Sequence, residues 1–285
     1  MNNVVCKNCR KEPAFYLRPY SGEFVCKQCL RKGLVKQVRK TLSYYPIVKR
    51  RERVIYVIRL DRPAESIAFL KIFKNFVKRL DLDMHLVVPE ELRPTIDKHL
   101  ERLMKVPNIV DVSYIHITRF EPQNFVELIK LHEVLSLSLS SEIGSTTVLM
   151  PLFREELVFL ALLGLVKASR TIFGDSFPVK QWRSLKVSRP SYLVSLIDMI
   201  AYVYTDPDLL ELMDSVPNTV FFDTIEKSLV ETLIDVAYSS KELVYASRKS
   251  VELMQSMFIS SPARCRLCLS FTEGGEICDI CNYLF

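Results

Sequence analysis

The stretch Val54-Ile55-Tyr56-Val57-Ile58-Arg59-Leu60-Asp61-Arg62-Pro63-Ala64-Glu65-Ser66 decides how this 285-residue chain is read. Its first five residues form a continuous apolar run, the pattern of a strand buried on both faces. Asp61 can cap a following helix, and Pro63 fits the first turn of one. Phe69, Leu70, Phe73, Phe76, Val77 and Leu80 then recur at spacings of three and four, so the helix has one buried face. The alternation repeats downstream. Strands are expected at 84–88, 111–118 and 146–152, and helices at 93–104, 124–137 and 155–167. The last is apolar on most faces and should be buried, while a serine-rich turn precedes the fourth strand. Strand and helix alternating four times with short connections predict an α/β fold, a parallel sheet covered on both sides. Further helical stretches are expected at 192–204 and across most of 224–258.

Outward from this core, the eight cysteines fall into four Cys-x2-Cys pairs with none left over. Cys6, Cys9, Cys26 and Cys29 form one set; Cys265, Cys268, Cys278 and Cys281 form the other. Two such turns bring four sulfurs onto one centre, and turn-forming residues lie inside each set, at Pro19-Tyr20-Ser21-Gly22 and Glu273-Gly274-Gly275-Glu276. The sets predict two structural zinc ions, with an iron–sulfur cluster and disulfides as the alternatives. No cysteine remains for chemistry in the middle of the chain. The domains expected are a zinc module with a basic helix at 1–43, the α/β domain at 44–258 and a second zinc module at 259–285.

The formal charge of +6 falls to about +2 if eight thiolates hold two zinc ions, so the distribution of charge says more than its sum. Ten Lys or Arg against one acid lie in residues 27–53. A basic helix is expected at 30–43, with Leu34, Val35, Val38 and Leu42 on its apolar stripe. Candidate nucleic-acid contacts are Lys27, Lys32, Lys36, Arg39 and Lys40, then Lys49, Arg50, Arg51 and Arg53; the alternative is a solvated basic face. No apolar run has the length of a membrane span, and the first residues carry no secretory pattern, which predicts a cytoplasmic protein. The four histidines, His85, His99, His116 and His132, fall on separate elements, and no nucleophile–base pair follows from spacing. Trp182 reads as a partly buried anchor, with base stacking as the other reading.

An α/β unit between two cysteine modules resembles the tRNA-thiolating branch of the PP-loop ATP pyrophosphatases, the 2-thiouridine and two-thiocytidine synthetases of the adenine nucleotide alpha hydrolase-like fold. The likeness lies in Cys6-Lys7-Asn8-Cys9 with Cys26-Lys27-Gln28-Cys29, although the family usually has histidine where Cys29 stands. It lies also in Cys265-Arg266-Leu267-Cys268 with Cys278-Asp279-Ile280-Cys281. The resemblance implies an ATP loop Ser-Gly-Gly-x-Asp-Ser after the first strand. The matching positions are Asp61, Arg62, Pro63, Ala64, Glu65 and Ser66, and only Ser66 agrees. Phosphate cradles use glycine and free N–H groups at a helix start, whereas Pro63 offers no N–H and Asp61 competes for the same dipole. ATP is therefore not expected in this loop. The family's Gly-His-Asn segment has no match in 149–156, and its central cysteines, which hold an iron–sulfur cluster or carry sulfur, have no counterpart.

The expectation is a protein without catalytic residues of its own that binds tRNA, an active PP-loop subunit or a second copy of itself, and no membrane. An active ATP-dependent tRNA-thiolating enzyme with a divergent phosphate loop is the alternative, and a structural or assembly protein a third reading.

Overall fold

A computed structural model describes residues 4–105, 108–215, 224–239, 246, 249–254 and 263–285. Six strands form the central sheet: β3 (Arg53–Val57), β4 (Asp83–Pro89), β5 (Ile109–Ile115), β6 (Thr147–Leu149), β7 (Val179–Trp182) and β8 (Leu185–Ser188), in the order β5-β4-β3-β6-β8-β7. A separate hairpin joins β1 (Tyr16–Arg18) to β2 (Glu23–Val25). Five strands of the large sheet are parallel, and β7 returns antiparallel on β8. The hairpin β7–β8 is absent from the sequence reading. Its residues Lys180, Lys186 and Ser188 face the interior, so the apolar alternation that marks a strand is missing there.

Helices cover both faces. They are α1 (Lys27–Tyr44), α2 (Pro63–Leu80), α3 (Arg93–Leu103), α4 (Phe125–Ser138), α5 (Ser140–Ile143), α6 (Arg154–Val166), α7 (Arg170–Asp175), α8 (Leu196–Val203), α9 (Pro207–Ser215) and α10 (Thr224–Ser239). The expected serine-rich turn contains α5, which ends at Gly144 in the left-handed region at φ 70°. Of the helical stretch expected across 224–258, residues 240–245, 247–248 and 255–258 lie outside the described residues. Among the described residues no helix is long and apolar enough to cross a membrane.

Strand β3 behaves as its sequence dictates. Val54, Ile55, Tyr56 and Val57 are fully buried between β4 and β6. Phe69 stacks on Phe73 at 5.7 Å and meets Phe153 edge-on at 6.1 Å, which closes α2 over the sheet. Helix α4 is buried nearly all round, including Lys130, His132 and Glu133. Strand β3 connects through α2 to β4 on one side and pairs with β6 on the other. The chain therefore reverses direction across the sheet between β3 and β6. In open α/β sheets the crevice at such a switch point, beyond the carboxyl ends of the strands, is where ligands are held.

Candidate functional site

Arg59 stands at that crevice. It leaves β3 fully buried, and its guanidinium donates from Nε to Asp61 Oδ1 (3.1 Å) and from Nη2 to Asp61 Oδ2 (2.5 Å). Across the switch point it donates to both carboxylate oxygens of Glu156 (2.7 and 2.9 Å) and to the Pro151 carbonyl (3.1 Å). A guanidinium has five N–H donors, and all five are used. The Phe125 ring lies 5.7 Å from its charge centre. Glu156, on the first turn of α6, also accepts the Phe153 N–H (2.9 Å) and Arg62 Nε (2.8 Å).

The loop's backbone is equally committed. Leu60 N–H donates to His132 Nε2 (3.0 Å) and Arg59 N–H to Ser66 Oγ (3.3 Å), while Tyr56 OH donates to the Ser66 carbonyl (2.7 Å). Ser66 Oγ itself donates to the Arg62 carbonyl (2.7 Å). An anion approaching residues 59–66 meets Asp61, Glu65 and Glu156, and finds the amides of Arg59 and Leu60 taken. Burial would push Arg59 down, but Asp61 and Glu156 hold it above its ordinary value; burial would raise Asp61, but Arg59 holds it low. Burial raises Glu65. His132, fully buried, is pushed down to about 4, because the charged form would lose its solvation and the lone pair that accepts from Leu60. The sequence drew attention to residues 61–66; it did not single out Arg59 or Glu156. The available signal was a lone arginine closing an apolar strand, followed by two acids after the partner strand.

The cysteines converge as their spacing requires. Within each set of four the sulfurs lie within 4.8 Å of one another, with Cys9–Cys26 at 3.8 Å and Cys268–Cys278 at 3.7 Å. Both sets therefore fit a metal centre. In the first, Cys26 caps α1, its sulfur accepting the Cys29 N–H, and Cys9 and Cys29 are half-buried. The hairpin beside it docks on one carboxylate: Asp198, fully buried, accepts Tyr20 OH (2.5 Å), Tyr16 OH (3.1 Å) and Arg18 Nε (3.2 Å). All four cysteines of the second set are buried. Lys130 Nζ lies 3.4 Å from Cys268 Sγ.

The predicted basic residues all lie at the surface. Lys32, Lys36, Arg39 and Lys40 share the outer face of α1, since residues four apart are neighbours on a helix. Lys40 sits 5.4 Å above the Tyr44 ring. Lys27 is turned aside to the Thr205 carbonyl (2.6 Å), Arg51 pairs with Asp81 (3.6 Å) and Arg53 donates to the Ile143 carbonyl (3.1 Å). Lys49 and Arg50 extend the exposed basic run beyond the helix. Trp182 is half-buried on the edge strand β7, with Arg183 stacked 4.3 Å from its ring. The histidines stay apart: His85 meets Ser113 (2.8 Å), and His116 is exposed.

The fold is that of a solved U34-tRNA thiolase, NcsA from Methanococcus maripaludis with its [4Fe-4S] cluster. The two superpose with a TM-score of 0.73 at 15% sequence identity, over 99% of this chain and 96% of the other. No family model and no curated protein matches the sequence. The likeness corrects the expectation of two zinc ions. Every cysteine of this chain belongs to one of the two sets, so a cluster of the kind that NcsA carries would have to be held there. Four thiolates are the donor set of a [4Fe-4S] cluster as well as of a single tetrahedral ion. Spacing identifies a metal-binding geometry, and zinc is no longer assigned to either set.

Proposed function

We propose that this protein serves tRNA sulfur modification as a tRNA-binding member of the PP-loop fold that does not use its own phosphate loop for catalysis. The observation that carries this reading is the filled switch point. Arg59, with all five donors satisfied by Asp61, Glu156 and the Pro151 carbonyl, occupies the place where these sheets hold a ligand. Both four-cysteine sets hold metal and keep the flanking modules folded. RNA phosphates are met by Lys32, Lys36, Arg39 and Lys40 on α1 and by Lys49 and Arg50 beyond it. An active PP-loop subunit supplies the chemistry, a second copy of this chain is the other partner it can bind, and the protein works in the cytoplasm.

The test is tRNA binding by the purified protein across a salt series. The double variant Lys32→Glu, Lys36→Glu is expected to weaken binding at least tenfold at physiological salt. It should also flatten the salt dependence by roughly one unit of slope for each phosphate that is no longer neutralised. Unchanged affinity and slope would remove α1 from the interface.

A second reading is an active thiolase, and the end-to-end likeness to NcsA taken alone supports it more directly than a non-catalytic role. It predicts ATP-dependent adenylation of tRNA and protection of the 62–66 amides from hydrogen exchange by ATP. Either result would overturn the non-catalytic proposal, and their joint absence with tRNA binding intact would uphold it.

A further inference from the structure

Beneath the second cysteine set lies a network of five charged side chains, each fully buried: Lys130 and Glu133 from α4, Asp175 from the end of α7, Lys180 from β7 and Arg189 just after β8. Lys130 Nζ has three acceptors within reach, Asp175 Oδ1 (2.7 Å), Ser270 Oγ (2.6 Å) and Cys268 Sγ (3.4 Å). Lys180 Nζ likewise has three, Glu133 Oε2 (2.6 Å), Asp175 Oδ1 (2.7 Å) and Ser270 Oγ (2.9 Å). An ammonium has three N–H donors, so both lysines are fully satisfied. Ser270 Oγ accepts from both and donates to Asp175, and Arg189 closes the set on Glu133.

Three cations against two carboxylates leave one positive charge with no acid among the described residues to balance it. Water cannot balance it either, since the groups are buried, and an uncompensated charge in this setting is strongly disfavoured. Beyond the two carboxylates, the anionic partner in contact among the described residues is the sulfur of Cys268. Four thiolates on a divalent ion carry a net charge of about −2, and so do four thiolates on an oxidised [4Fe-4S] core. Four protonated thiols carry none. The charge of the network is therefore opposite in sign to that of a loaded site, whichever metal it holds, and offsets part of it.

We infer that Lys130 is an outer-sphere positioning residue of the second cysteine site. Its ammonium neutralises part of the charge of the loaded centre and fixes the Cys268 sulfur, so that loading this site and closing α4 against β7 and the C-terminal module are one event. The first cysteine set has no such partner: among the described residues no lysine or arginine nitrogen is within hydrogen-bond distance of its sulfurs.

The experiment is differential alkylation of the full-length, natively purified protein under a chelator, with N-ethylmaleimide as the probe and peptide mass spectrometry separating the two sets. Metal is counted beforehand by elemental analysis. Lys130→Met is expected to expose Cys265, Cys268, Cys278 and Cys281 at least tenfold faster than in the natural protein, the scale of outer-sphere losses at metal sites. Cys6, Cys9, Cys26 and Cys29 should be alkylated at an unchanged rate. Lys130→Arg, which keeps the charge, should recover part of the difference. If Lys130→Met does not fold, Ser270→Ala, which removes one fixing contact of Lys130, should speed exposure of the same four cysteines selectively. Equal acceleration of both sets, or none, would overturn the inference. Native protein without metal would overturn loading itself and leave the tRNA-binding proposal to stand on its own test.

Discussion

The two cysteine modules have the same ligands and near-identical spacing within each pair, yet they are built into the molecule in different ways. The first sits at its surface. Two of its cysteines are half-buried, and its hairpin is fastened by the single carboxylate of Asp198 through Tyr16, Arg18 and Tyr20. The second is part of the interior. Its cysteines are buried, Lys130 reaches Cys268, and the Phe271 carbonyl accepts Thr171 Oγ at 2.7 Å. The Phe271 ring is enclosed between Phe177 at 5.4 Å and the Arg264 guanidinium at 3.7 Å. A metal module can thus be an attachment to a fold or a piece of its core, and the ligand pattern does not distinguish the two.

The largest contrast should come from the ligands themselves. Cys268→Ser disturbs the second site and strips Lys130 of its thiolate, and breaking a buried charge pair costs about 3–5 kcal/mol. Cys9→Ser should loosen only the hairpin. Thermal denaturation should show a large loss of stability for the first variant, and limited proteolysis should show early cleavage near the N-terminal hairpin for the second. Equal losses would erase the distinction.

Acid should also act on one side. The folded pKa of His132, about 4, lies below its ordinary 6.5, so stability from neutral His132 is complete above about pH 6.5. It is lost as pH falls toward 4, because the unfolded chain takes up the proton first. The linkage amounts to about 3 kcal/mol. Helix α4 carries both His132 and Lys130, so this loss falls on the side that holds the second site. His132→Gln, whose amide oxygen can still accept the Leu60 N–H, should abolish that part of the acid dependence in denaturant titrations at pH 7 and pH 5. An unchanged dependence would show that His132 does not carry it.

Two glycines sharpen the comparison on a smaller scale. A Cβ on Gly174 would stand 2.6 Å from the Phe271 ring, which is enclosed and cannot retreat, so Gly174→Ala should cost about 1–3 kcal/mol. A Cβ on Gly33 would meet only the tip of Arg18 at 3.0 Å. There the helix gain of alanine, up to about 1 kcal/mol, should offset the shift, leaving Gly33→Ala near neutral in chemical denaturation. A costly Gly33→Ala would show that the N-terminal docking is as tight as the C-terminal one.

Gly33 also shows where local reading falls short. Inside a short basic stretch it weakens the case for a helix, yet α1 runs through it for 18 residues. The turn of Arg18 against that position joins two separate segments of the chain, and such a meeting is invisible to propensity. The strands β3 and β4 and the helices α2, α3 and α4 were legible because apolar periodicity reports burial directly. Strands β7 and β8 were not, because two of their buried positions, Lys180 and Lys186, are held by ion pairs rather than by hydrocarbon. Lys180 in an isolated sequence is a surface residue; in the fold it is a buried cation with three acceptors.

By itself, then, the sequence determined the α/β alternation, the two converging sets of four cysteines and the absence of glycine from residues 59–66. Each of these is written in spacing between near neighbours, where chain geometry leaves few choices. Only the tertiary structure decided that Arg59 and Glu156 meet across the switch point, and that the two cysteine modules differ in depth. Those outcomes depend on residues 97 and 138 positions apart in the chain finding a shared site from which water is excluded. There a charge must be matched by a partner, and no local pattern encodes which partner it will be.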